Sequence, residues 1–149
     1  MEVPEKLDKI KQQTMATDIW IHIEHRGRKK NKYVYDFEAD GERIYALFGA
    51  LAGARGSIDP LYEPRGLPDD VSPEVQEEFR LFEGDAHTPS WLTAEEFREC
   101  LDLTFKNLSK KEDGKNVKTW LQPYEKIYEY MKYCDDEGEP SRIVFWFDN

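Results

Sequence analysis

Alternation of hydrophobic and polar residues predicts three β-strands, two near the beginning of the chain and one at its end. Over residues 18–26, three isoleucines at every second position alternate with tryptophan, histidine and glutamate, the two-residue period of a strand. Residues 32–38 alternate in the same way after a basic turn at 27–31, so we predict a β-hairpin. Residues 142–148 are apolar on both faces, which is typical of a central strand. We expect this last strand to pair with the first.

Helical spacing of apolar residues, together with capping residues, predicts four helices. They span residues 42–51, 72–82, 94–107 and 120–134. Gly53 ends the first helix, because helix ends often need positive φ, and Ser72 caps the second. Thr93 and Glu96 match a capping box at the start of the third. Pro123 suits only the first turn of the fourth.

These elements predict a single α+β domain over residues 15–149. Its small antiparallel sheet contains the N-terminal hairpin and the central C-terminal strand, with about four helices packed mainly on one face. Residues 59–70 and 84–90 are predicted loops, and residues 110–118 a charged linker. Residues 1–14 are polar and rich in lysine, and we expect them to be a flexible N-terminal extension.

The net charge of −10 comes from the middle of the chain. Residues 59–102 contain 13 acidic and three basic residues, and the remainder contains 18 of each. Because proteins that bind DNA or RNA neutralise phosphates with a basic face, this charge argues against a nucleic-acid partner. The acidic middle is either a solubilising surface or a region that steers a basic protein partner.

The hydropathy and cysteine content indicate a soluble, cytoplasmic protein. No apolar run approaches the ~20 residues of a membrane span, and no secretion signal is recognisable, so we expect no membrane partner. A stapled secreted scaffold would normally contain more cysteines than Cys100 and Cys134. We therefore expect both to be free thiols, buried on helices.

Two arginines near the first helix end are candidates for phosphate binding. Backbone N–H groups at the glycine-rich helix end before Arg55 can form a nest for anions, and guanidinium groups bind phosphate through two hydrogen bonds. Tyr62 lies between Arg55 and Arg65 in the sequence and could stack on a base. The alternative is that both arginines pair with carboxylates and fix the loop.

A second candidate group surrounds Trp91, whose ring could stack on a base. His87 and Ser90 would add polar contacts to the same ligand. The alternative is that Trp91 packs against the helix capped by Thr93. The other three tryptophans are expected in the core or an interface, and any that is exposed becomes a binding candidate.

A metal-dependent hydrolase is the enzymatic alternative. His22, Glu24, His87, Asp148 and also Asp18 could converge if the first and last strands pair, and such ligands suit zinc or manganese. The sequence contains no His-x-x-x-His or Cys-x-x-Cys pair and no Gly-x-Ser-x-Gly nucleophile motif. It therefore favours binding over catalysis and implies no cofactor.

Five segments together resemble a widespread family of small phage and prophage proteins. They are DIWIH at 18–22, LFGALAGAR at 47–55, PRGLPDD at 64–70, HTPSWLT at 87–93 and RIVFWFDN at 142–149. The resemblance covers nearly all of residues 15–149. It implies a counter-defence role in an infected or lysogenic bacterium, in which the protein sequesters cyclic nucleotide or ADP-ribose signals made by systems such as Thoeris or CBASS.

The function expected from the sequence is thus capture of a phosphate-bearing nucleotide signal without catalysis. A homodimer could supply the lid of the pocket. Direct binding of an acidic inhibitor to a host defence protein and metal-dependent hydrolysis of such signals are the alternatives. The residues expected to line the pocket are Arg55, Tyr62, Arg65, His87, Ser90 and Trp91.

Overall fold

One antiparallel sheet organises the protein, whose computed structural model describes residues 16–27, 31–55 and 58–149. Its strands are β1 (Asp18–Arg26), β2 (Tyr33–Asp40), β3 (Ala86–Thr93) and β4 (Ser141–Asp148), in the order β2-β1-β4-β3. β1 pairs with β2 as the predicted hairpin, and with β4 as the predicted union of the first and last strands. The residues expected to form an N-terminal extension lie outside the described part of the chain.

β3 is an edge strand, although the sequence predicts a loop over residues 84–90. It pairs antiparallel with β4, and the register shifts halfway along the strand. Thr88 has a left-handed φ of 54°, and Pro89 lacks a backbone donor, which only an edge or a bulge tolerates. The loop prediction is wrong because β3 has no alternating pattern of its own and is held by hydrogen bonds to β4.

The helices are α1 (Tyr45–Ala52), α2 (Pro73–Leu81), α3 (Ala94–Leu108) and α4 (Gly114–Asp136). The Ser72 hydroxyl accepts a hydrogen bond from the α2 backbone, and the capping box at the start of α3 is complete. α1 begins three residues later than predicted and ends, as predicted, at Gly53 with a φ of 73°.

α4 begins six residues earlier than the sequence predicts, so Pro123 lies inside the helix and the first-turn prediction is wrong. The Asp113 carboxylate accepts a hydrogen bond from the Lys115 N–H at 2.8 Å and caps the new start. A proline inside a helix costs about 3 kcal/mol. Burial of an apolar face along α4, which includes Leu121 and Tyr124, offsets that cost.

Three of the four described helices pack on one face of the sheet and one packs on the other. The prediction that the helices lie mainly on one face is confirmed. Ile21, Phe145 and their neighbours on one face form the main core with α1, α3 and α4. On the other face, Val75 of α2 packs against Val144 and Trp146. Each face of β4 is therefore covered, which explains why its sequence is apolar from Ile143 to Phe147.

A buried ion pair ties the sheet to the segment that precedes α2. The Arg142 Nε donates to the Glu24 carboxylate at 2.7 Å, and these two side chains are 4% and 0% exposed. The Ser72 N–H donates to the second oxygen of Glu24 at 2.8 Å. Arg142 also pairs with Asp70 at 2.7 Å, and its guanidinium lies 3.6 Å from the centre of the Tyr33 ring.

Two further expectations can be compared with the structure. Cys100 and Cys134 are both buried and free, as predicted. Among the described residues, none of the helices combines the length and apolar character that crossing a lipid bilayer requires.

Candidate functional site

Arg65, a predicted phosphate ligand, is held by a carboxylate of the protein. Its guanidinium donates two hydrogen bonds to Glu96, at 2.7 and 2.5 Å, and a third to the Trp91 carbonyl at 3.1 Å. This contact is the carboxylate pair that the sequence offered as the alternative to phosphate binding. It joins the loop before α2 to the start of α3. A phosphate group that takes both terminal nitrogens of Arg65 would have to displace Glu96.

The expected base sandwich is also occupied by Arg65. The guanidinium carbon lies 4.6 Å from the centre of the Trp91 ring and 5.2 Å from that of Tyr62. The Tyr62 hydroxyl donates to Glu99 at 2.5 Å, and this hydrogen bond is the main reason that the Tyr62 pKa rises to about 12. These contacts form a network at the surface. In it the Arg65 guanidinium, and not a base, stacks on the rings of Trp91 and Tyr62.

The remaining predicted pocket residues have separate contacts. Arg55 has a left-handed φ of 52° and stacks on Tyr45, with 4.8 Å between the guanidinium carbon and the ring centre. His87 contacts the Asn149 side-chain oxygen at 3.0 Å through Nε2. The Ser90 hydroxyl is buried and accepts a hydrogen bond from the Arg65 N–H at 3.0 Å. Ser90 thus belongs to the Arg65 network, whereas Arg55 and His87 contact other elements.

The predicted metal ligands do not gather into one site in the described part of the chain. Glu24 is bound to Arg142 and Ser72, and His87 contacts Asn149. Asp148 lies at the end of β4, where it pairs in register with Asp18, and Asp18 binds Arg43. His22 alone joins a group that could hold a metal ion, with Glu38 and Glu78 as the other members.

A cleft of about 850 Å³ lies elsewhere, between the start of α1 and the first half of α4. We call it the acidic groove. Asp18, Asp40 and Glu42 line it, and Arg43 is the only basic residue among its described lining residues. Arg43 binds Asp18 at 2.6 Å, which leaves the groove with an excess of negative charge.

Aromatic and aliphatic side chains form the apolar part of the acidic groove. Trp120 is 42% exposed, one of the most exposed large hydrophobic side chains of the described chain. Tyr45, Leu108 and Pro123 lie beside it. A volume of this size, with apolar walls and a few charged groups, is typical of ligand-binding clefts. The sequence contained one signal for this site, since an exposed tryptophan was expected to mark a binding surface.

No protein-family model, curated protein or solved structure matches this chain. The resemblance to phage proteins therefore stays a prediction from the sequence.

Proposed function

We propose that the protein is a non-catalytic binding module that captures a basic segment of a partner protein in the acidic groove. Direct binding to another protein was the second function considered from the sequence, which placed it on the acidic middle at residues 59–102. The residues that line the groove lie outside that range, so the proposed surface is a different one. The observation that carries the proposal is the combination of an exposed Trp120 with Asp40 and Glu42 in one cleft of about 850 Å³.

The charge of the groove supports a cationic ligand. No basic side chain of the described residues pairs with Asp40 or Glu42, so their negative charge is available to a ligand. Arginine and lysine residues of a partner would neutralise these carboxylates and be guided to them over distances of about 10 Å at ordinary salt. A phosphate-bearing ligand would be repelled by the same groups.

The apolar part of the groove supports a peptide rather than a simple ion. Arginine and lysine have long aliphatic stems that cover apolar surface, and their charged ends stack favourably on tryptophan. Trp120 offers such a surface beside the carboxylates. Exposed tryptophans of this kind commonly contribute a large share of the affinity of a protein interface.

Capture of a nucleotide at Arg55 and Arg65 is the competing prediction from the sequence. Binding of a phosphate by both terminal nitrogens requires Arg65 to give up Glu96, and stacking of a base requires Arg65 to leave the space between Tyr62 and Trp91. Charge-assisted pairs with two parallel hydrogen bonds are among the strongest polar contacts in proteins, so this exchange is unfavourable.

Localisation in the cytoplasm, where basic partner segments and reduced cysteines both occur, forms part of our proposal.

A labelled peptide of alternating arginine and leucine tests the proposal directly. Fluorescence anisotropy should show binding that weakens strongly as salt rises from about 0.05 to about 0.5 M, because the attraction is largely electrostatic. The same peptide with glutamate in place of arginine should not bind. Cyclic dinucleotides and ADP-ribose serve as the comparison, and uptake of these without uptake of the basic peptide would favour the nucleotide prediction instead.

Two charge-matched double variants locate the binding site. Asp40→Asn with Glu42→Gln should weaken peptide binding about tenfold, whereas Glu83→Gln with Asp85→Asn removes the same charge elsewhere and should change it little. Trp120→Ala should also weaken binding about tenfold, with an unchanged circular dichroism spectrum. Equal weakening by both double variants would mean that net charge alone attracts the peptide, and the groove would be excluded as its site.

A further inference from the structure

We propose that His22, Glu38 and Glu78 form a binding site for a divalent transition metal, with Zn²⁺ as the best match. The site lies on the face of the sheet that α2 covers and does not depend on the proposed function of the acidic groove. One ring nitrogen of His22 and one carboxylate oxygen from each glutamate all lie within 4.8 Å of one another.

His22 is the unusual member of this group. It is 2% exposed and stacks on Trp146, with 4.5 Å between ring centres, yet neither ring nitrogen reaches hydrogen-bond geometry with a described residue. Buried polar groups without partners are costly and rare, and a neutral imidazole nitrogen is a common metal ligand.

The sheet and α2 bring two carboxylates to this imidazole. Glu38 lies opposite His22 in the pairing of β1 with β2, and Glu78 comes from α2. In the described part of the chain neither carboxylate has a basic partner. The two carboxylates repel each other, and a divalent cation would remove this repulsion and give His22 a partner.

The donor set indicates which metal fits. Imidazole with carboxylates suits Zn²⁺ and Mn²⁺, whereas Ca²⁺ and Mg²⁺ prefer oxygen ligands alone. In a tetrahedral zinc site with bonds of about 2.1 Å, two ligand atoms lie about 3.4 Å apart. The three atoms, which now lie within 4.8 Å of one another, would therefore have to be drawn together by side-chain rotations of about 1 Å. Three protein ligands leave a fourth position for water, and Glu38 is exposed, which gives an ion a path from solvent.

Calorimetric titration of the full chain with ZnCl₂, after treatment with a chelator, tests the site. We expect one high-affinity Zn²⁺ per chain and much weaker binding of MgCl₂. Glu38→Gln and Glu78→Gln keep the side-chain size but remove a charged ligand, and each should weaken Zn²⁺ binding by about tenfold or more. Glu77→Gln is the matched control, since Glu77 neighbours Glu78 on α2 but binds Arg80, and it should leave the affinity unchanged.

Two further readouts keep the result unambiguous. Zn²⁺ should shift the ring resonances of His22 in nuclear magnetic resonance spectra, and it should raise the melting temperature of the original chain but not of the Glu78→Gln variant. Absence of Zn²⁺ binding, or binding that both ligand variants retain, would overturn the proposal. Binding retained in this way would place the ion at other histidines. None of these variants replaces a residue that lines the acidic groove, so peptide binding and metal binding can fail separately.

Discussion

Replacement of Arg142 by methionine should destabilise the protein by about 3–5 kcal/mol, because it leaves the carboxylate of Glu24 buried without a cation. Arg142 and Glu24 are 4% and 0% exposed, and their atoms are 2.7 Å apart. After the substitution, the hydrogen bond from the Ser72 N–H would be the main polar contact left to Glu24. Since small domains are stable by only about 5–15 kcal/mol, the loss would be a large part of the total.

Urea denaturation followed by circular dichroism at neutral pH measures this effect. Arg43→Met is the control: its partner is Asp18, the two side chains are 53% and 46% exposed, and loss of such a surface pair costs about 0–1 kcal/mol. Adding Glu24→Gln to Arg142→Met should restore part of the lost stability, because the unpaired buried charge is then absent. If Arg142→Met costs no more than Arg43→Met, the buried charge is compensated in another way and our reasoning is wrong.

Three other predictions follow from burial and packing. Burial raises the pKa of Cys100 to about 12, so iodoacetamide should modify it quickly only after unfolding in urea, as mass spectrometry would show. The Arg65 guanidinium lowers the pKa of Glu96 below its usual 4.5. The contribution of this carboxylate to stability is therefore complete above pH 4.5 and is lost as the pH falls below that value. Glu96→Gln should accordingly flatten acid denaturation curves in that range. A Cβ atom at Gly41 would lie 2.2 Å from a core isoleucine, so Gly41→Ala should cost about 1–3 kcal/mol in thermal melts, whereas Gly27→Ala, with open space around it, should cost far less.

The elements that the sequence predicted well carry their signal locally. The isoleucine alternation of β1 and the capping box at Thr93 depend on residues close together in the chain, and both appear as expected. β3 and the first turns of α4 were missed for the opposite reason. Pro89 and Pro123 oppose strand and helix locally, and tertiary packing overrides that local preference.

The candidate sites were harder to predict because their residues are distant in sequence. Arg65 and Glu96 are 31 positions apart, so the pairing that occupies the guanidinium cannot be read from either segment. The group of His22, Glu38 and Glu78 depends on the register of the hairpin, which contains an irregularity after Ile23, and on where α2 lies over the sheet. Composition showed which residue types were available, whereas strand register and helix packing determined which of them meet.

The pairing of arginines with carboxylates is the reason that we propose the acidic groove, and not a phosphate site, as the contact surface of this protein. Each of five arginines in the described chain binds a carboxylate of the same chain: Arg43, Arg65, Arg80, Arg98 and Arg142. Their positive charge is therefore largely compensated inside the molecule. The excess carboxylates are left to interact with solvent or partners, and Asp40 and Glu42 are two of them that lie in a cleft beside an exposed tryptophan. A basic partner would neutralise Asp40 and Glu42 without breaking any of these five pairs. A phosphate that takes both terminal nitrogens of Arg65 would first have to separate Arg65 from Glu96.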